Sequence, residues 1–120
     1  MPQRDLSYLT DILQAARLIE VFIQGFDEQK FYQDLKCQSA VIRQIEIIGE
    51  ATKRLSTTFR EAHPKIPWRS MAGMRDILIH AYDHVDLGEV WNTATMAIPD
   101  IIQKIEILIT SDDNELGAIS

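Results

Sequence analysis

Leu6, Leu9, Leu13, Ala16, Ile19, Ile23 and Phe26 recur at steps of three and four residues, the spacing that lines one face of an α-helix. A first helix is therefore expected from Leu6 to Phe26, with Gly25 and Asp27 marking its end. A short helix or turn over residues 28–35 leads to a second long helix, whose buried stripe is Val41, Ile45, Ile48, Leu55 and Phe59 and whose end is marked by Pro64. Gly49 falls inside that helix, where glycine costs about 1 kcal/mol against alanine. Its presence there predicts the close approach of another backbone. HPKIPWRS is a connection, and Pro67 suits the first position of a third helix because its missing N–H would have no partner there. Asp86 is placed to cap a fourth helix, in which Leu87, Trp91, Ala94, Ile98, Ile101, Ile105 and Leu108 keep one phase across Pro99. One helix kinked at Pro99 is expected. No stretch alternates with the period of a strand, so the fold class is all-α: an antiparallel four-helix bundle of four main helices with room for one short extra helix.

The third helix carries MRDILIHAYD (residues 74–83). At 100° per residue with Arg75 at zero, Met71, Met74, Ile77, Leu78, Ala81 and Val85 centre near about 265° and form the core face. Tyr82 then falls at about −20° and His80 at about 140°, on the opposite half with Arg75. Helical side chains lean toward the N-terminus, so the Tyr82 phenol should tilt toward the Arg75 guanidinium two turns below. The plain alternative makes Tyr82 and His80 surface aromatics and pairs Arg75 with Asp76 or Asp83.

Composition narrows the class. With 120 residues, 46% of them hydrophobic and 25% charged, the chain suits one globular domain. The expected domain covers residues 1–110, with the acidic segment 111–120 fraying. No apolar run approaches the roughly 20 residues that cross a bilayer, and the N-terminus lacks the pattern of a secretory signal. A cytoplasmic protein without a membrane segment is expected, and the lone Cys37, which cannot form an internal disulfide, fits a reducing compartment. The net charge of −6 argues against indiscriminate nucleic-acid binding. Yet residues 43–75 hold seven Lys/Arg against three Asp/Glu, and residues 76–120 hold Lys104 against nine acids, so a basic strip lies on an acidic body.

Two stretches, AVIRQIEIIGEATKRLS (40–56) and IPWRSMAGMRDILIHAYDHVDLGEVW (66–91), resemble HepT-like proteins of the HEPN superfamily. The likeness covers nearly the whole chain, and the R-x4-H-x-Y pattern of that family matches Arg75, His80 and Tyr82. The resemblance implies the toxin half of a toxin–antitoxin pair: a metal-independent ribonuclease acting as a homodimer, with the motif helices of two protomers facing across a cleft. It also implies a minimal nucleotidyltransferase as antitoxin, which silences the toxin by attaching AMP to Tyr82. The residue after the arginine is commonly polar in the superfamily, often Asn; here it is Asp76, which adds negative charge beside a substrate phosphate.

The side chains suit that chemistry. RNA carries its own nucleophile in the 2′-hydroxyl, so cleavage needs proton transfer and positive charge at the phosphorane. Histidine titrates near neutral pH, and arginine offers a planar fork of fixed charge. His80 and Arg75 are the candidate catalytic residues, and a two-fold dimer supplies the second histidine that an acid and a base together require. Arg69, Lys65, Lys53 and Arg54 are candidates to guide the RNA backbone; helix-surface pairing, such as Glu50 with Lys53 and Arg54, is the alternative for each. Trp68 and Trp91 either stack on bases or, more in keeping with a small bundle, fill the core. His80 and His84 lack the surrounding pattern of a zinc helix, so no metal site and no cofactor are expected. Two other classes stay open: a non-catalytic HEPN module that binds a nucleotide or docks a nucleotidyltransferase, and a purely structural helical dimer.

Overall fold

A computed structural model of the chain describes residues 1–79 and 85–119, with Ile77, Ile79 and residues 112–119 described by backbone alone. His80, Tyr82, Asp83 and His84 lie outside the described residues. The described chain contains eight α-helices and one π-helical turn, and no strand. In order these are α1 (Gln3–Phe22), α2 (Glu28–Gln33), α3 (Leu35–Arg54), α4 (Thr57–Ala62), α5 (Trp68–Ala72), α6 (Met74–Ile79), α7 (Leu87–Asn92), the π turn (Thr93–Ala97) and α8 (Ile98–Ile119). None of these helices is long and apolar enough to cross a membrane.

The longest contact is between α1 and α3, and α8 covers the other side of α1. Leu9, Ile12, Ala16 and Ile19 of α1 meet Val41, Ile45 and Ile48 of α3, with Val90, Ala94, Ile98, Ile101 and Ile105 of the C-terminal run closing the core. α1 ends at a turn in which Gly25 takes φ +79, a left-handed conformation that glycine adopts without cost. Asp27 then caps α2 by accepting from the Lys30 N–H at 2.7 Å. The buried Gln38 donates from Nε2 to the Phe31 carbonyl at 2.9 Å, and the Phe31 ring packs 5.2 Å from that of Trp91. Those contacts hold α2 between α3 and α7. Trp91 is thus a packing residue, as is Trp68, which is buried and donates from Nε1 to the His63 carbonyl at 2.9 Å. Cys37 is also buried, its thiol donating to the Phe22 carbonyl at 3.4 Å. Burial, then the neighbouring Asp34, push its pKa up, so Lys30 does not turn it into a nucleophile.

Three expected helices are divided. The second stops at Arg54 because Leu55 turns extended and Ser56 starts a new helix, its hydroxyl accepting from the Phe59 N–H at 3.1 Å. Ser56 is fixed from across the fold: the Asp5 carboxylate, almost wholly buried, accepts from the Ser56 N–H at 2.9 Å and from its hydroxyl at 2.8 Å. The hydrophobic phase hid this break, since both Leu55 and Phe59 are buried on the expected stripe. The third helix is interrupted at Gly73, whose N–H bonds to the Arg69 carbonyl before α6 begins. Pro67 stands one position earlier than expected, as the residue preceding α5.

Asp86 does cap α7, accepting from the Glu89 N–H at 3.2 Å. The run then passes through the π turn, which ends two residues before Pro99. Proline has no N–H to offer the preceding turn and its ring crowds the carbonyl there; a wider turn relieves both. The extra residue shifts the phase upstream, so Val90 is fully buried while Trp91 and Leu87 are only partly so.

Candidate active site

Arg75 is the one motif residue of the R-x4-H-x-Y pattern within the described residues, and the fold presents it deliberately. Met71 and Met74 are buried and anchor α5 and α6 on the core, which leaves Arg75 and Asp76 exposed on the far side. The approach of α6 to α3 depends on Gly49. A Cβ built there would lie 3.2 Å from both the Cβ and the backbone N of Arg75, and 3.5 Å from the Ala72 carbonyl oxygen. The close backbone approach inferred from the sequence is therefore the approach of the arginine itself.

This contact fixes the sign of one substitution. Gly49→Ala would gain about 1 kcal/mol of helix propensity, but overpacking typically costs about 1–3 kcal/mol. We expect a net loss of about 1 kcal/mol in urea unfolding with an unchanged denaturant slope; an increase in stability would contradict the contact.

Glu50, the next residue, reaches the guanidinium: its Oε1 lies 3.7 Å from Arg75 Nη1, with the two side chains 43% and 45% exposed. That separation exceeds a hydrogen bond, and at this exposure such a pair contributes under about 1 kcal/mol. Glu50 therefore biases the guanidinium without occupying it, and among the described residues no other carboxylate pairs with it. Sequence reasoning missed this partner. As plain alternatives it offered Asp76 or Asp83 for Arg75, the latter outside the described residues, and Lys53 and Arg54 for Glu50. Among the described residues Arg75 has no ion pair with Asp76, and Glu50 has none with Lys53 or Arg54. Asp76 instead leans back toward the Gly73 turn. The available clue to Glu50 was its position beside a glycine in mid-helix.

The four backbone-guiding candidates are all exposed, but they do not form one cluster. Arg54 shares a small cavity of about 110 Å³ with Tyr8, Asp11 and Glu50, the last of which pairs with Arg75. Arg69 lines a separate cavity with Arg60. Lys65 lines a third, with His63 and Lys104, between the α4–α5 connection and α8. Lys53 lines none of these cavities. Among the described residues no three His, Cys, Asp or Glu side chains are grouped to hold a metal ion.

Comparison with known proteins adds to this geometry. The family model described as "Ribonuclease HepT-like" matches residues 12–108. A protein of Thermococcus cleftensis named "Probable ribonuclease HepT" is 47% identical over 90% of this chain and 98% of its own length. Two proteins of Methanocaldococcus jannaschii that carry RNase names are 43% identical over 91% of this chain and 95% of their own (the first), and 40% identical over 97% and 100% (the second). No solved structure matches. The chain belongs to the ribonuclease HepT-like family.

Proposed function

We propose that this protein is a metal-independent endoribonuclease, the toxin of a toxin–antitoxin pair, and that it acts as a homodimer joined through the face of the motif helix. The observation that carries the reading is Arg75: an exposed guanidinium, braced by α3 through Gly49 and Glu50, five residues ahead of the only histidine that fits the family pattern. In the reaction the 2′-oxygen forms a bond to phosphorus and the bond to the 5′-oxygen breaks. One His80 takes the 2′-hydroxyl proton while its counterpart on the second protomer donates a proton to the leaving oxygen. Arg75 stabilises the charge on the phosphorane. The products are a 2′,3′-cyclic phosphate and a 5′-hydroxyl.

Expression of the protein alone should arrest growth, and co-expression with its nucleotidyltransferase antitoxin should restore it. Control acts through Tyr82. On the helical wheel Tyr82 falls near Arg75, so AMP there would add a phosphodiester charge and a base, a tethered mimic of product. Tyr82→Phe should leave RNA cleavage within about twofold of wild type and abolish both adenylylation and rescue by the antitoxin, read from intact mass and growth. Adenylylation of that variant would refute the assignment.

Two carboxylates beside Arg75, Glu50 and Asp76, favour a second reading, a non-catalytic module that docks a nucleotidyltransferase. In that case expression does not arrest growth and Arg75→Ala weakens only binding of the partner.

A further inference from the structure

Arg60 was not among the residues singled out by sequence, and its surroundings make it chemically conspicuous. Its Nε is buried and has no hydrogen-bond partner within the protein. An arginine in a protein cannot shed its charge, and a buried donor left unpaired costs about 1–3 kcal/mol, more when charged. Among the described residues nothing satisfies it.

Arg60 borders a cavity of about 380 Å³ at the corner between α4 and α5, lined also by Thr57, Glu61, Trp68, Arg69 and Ala72. Among the described residues neither Arg60 nor Arg69 has a carboxylate within ion-pair distance, although Glu61 lines the same cavity. A lining that combines Arg60 and Arg69 with Trp68 and Ala72 suits a ligand with a phosphate and a less polar body. Thr57 and Glu61 add polar side chains to the lining. Trp68 itself is buried and its N–H is committed to His63, so it supplies floor rather than a free stacking face.

The cavity also adjoins the candidate active site. Ala72 lines it, and the Ala72 carbonyl borders the same Gly49 position that Arg75 abuts. Arg69 and Arg75 lie on the consecutive helices α5 and α6, on either side of the Gly73 break. A single strand with its scissile phosphate at Arg75 would bring a neighbouring phosphate within reach of Arg69 and Arg60.

We propose that this cavity is a second nucleotide subsite, in which Arg60 and Arg69 hold the phosphate of an RNA nucleotide flanking the one cleaved at Arg75. The inference rests on the ribonuclease reading. The test is binding of a fluorescent 2′-O-methyl oligoribonucleotide, which cannot be cleaved, to the full chain in chelator over a range of salt. Arg60→Met keeps most of the buried stem and removes the charge. Arg69→Gln alters an exposed residue, so it remains informative if the first variant is unstable. Each should weaken binding about fivefold to tenfold and flatten the slope of log K against log salt by about 0.7, the value for one contact to a single strand. Lys36→Gln, exposed and outside this cavity, should change neither. Wild-type affinity and slope in both variants would overturn the subsite, even if unmodified RNA is cut. Weakened binding in the variants with no cleavage of unmodified RNA would support the subsite and sink the ribonuclease reading instead.

Discussion

His80→Ala and Arg75→Ala should each abolish most RNA cleavage while leaving the fold intact. Positioned acid–base catalysis contributes about 10²- to 10⁴-fold, and loss of a group that stabilises the transition-state anion costs about 10²- to 10³-fold. Arg75 contributes little to folding: it is 45% exposed, and its ion pair with Glu50, at 3.7 Å, is too long for a hydrogen bond. Arg75→Ala should therefore move the unfolding free energy by less than about 1 kcal/mol. Single-turnover cleavage of labelled RNA and urea unfolding, measured on the same preparations, separate the two quantities. Arg75→Lys should recover only part of the rate, because an ammonium cannot form the paired contacts of a guanidinium to a phosphate. Equal cleavage by wild type and His80→Ala would remove the histidine from the mechanism.

The largest effect on stability is expected at the other end of the chain. Asp5 is 1% exposed and accepts two hydrogen bonds from Ser56. Asp5→Ala deletes both and leaves the Ser56 N–H at the start of α4 without its acceptor. Hydrogen bonds to a charged group each contribute about 1.5–3 kcal/mol, so a loss of about 3 kcal/mol is expected. For a domain of this size that lowers Tm by roughly 10 °C. Asp5→Asn retains an acceptor for the Ser56 N–H and should lose about half as much. Calorimetry decides it: an alanine variant as stable as wild type would mean that the clamp does not hold α1 to α4.

The Asp5–Ser56 clamp and the Gly49–Arg75 contact explain what was legible in the sequence. Periodicity is local information, and it correctly placed Leu9, Leu13, Ala16, Val41, Ile45 and Ile48 in the core. Gly49 was legible too, because a glycine in mid-helix is costly unless something packs against it. The break at Leu55–Ser56 was not, since the apolar phase runs straight through it and its cause, Asp5, is 51 residues away. Pro99 announced a disturbance in the last helix but not its form, a π turn placed just upstream. At the site, a helical wheel identifies Arg75 as outward-facing, yet it cannot supply Glu50 from α3 or place Arg60 and Arg69 in one cavity. Those relations come from the packing of α3 and α4 against α5 and α6.

Cleavage without a metal, with the 2′-hydroxyl as nucleophile, is the step on which the functional account stands. Purified protein incubated with RNA in excess chelator tests it, with the new ends analysed chemically. Fragments ending in a 2′,3′-cyclic phosphate and beginning with a 5′-hydroxyl are the predicted result. Fragments ending in a 3′-hydroxyl, or cleavage only after a divalent cation is restored, would contradict it.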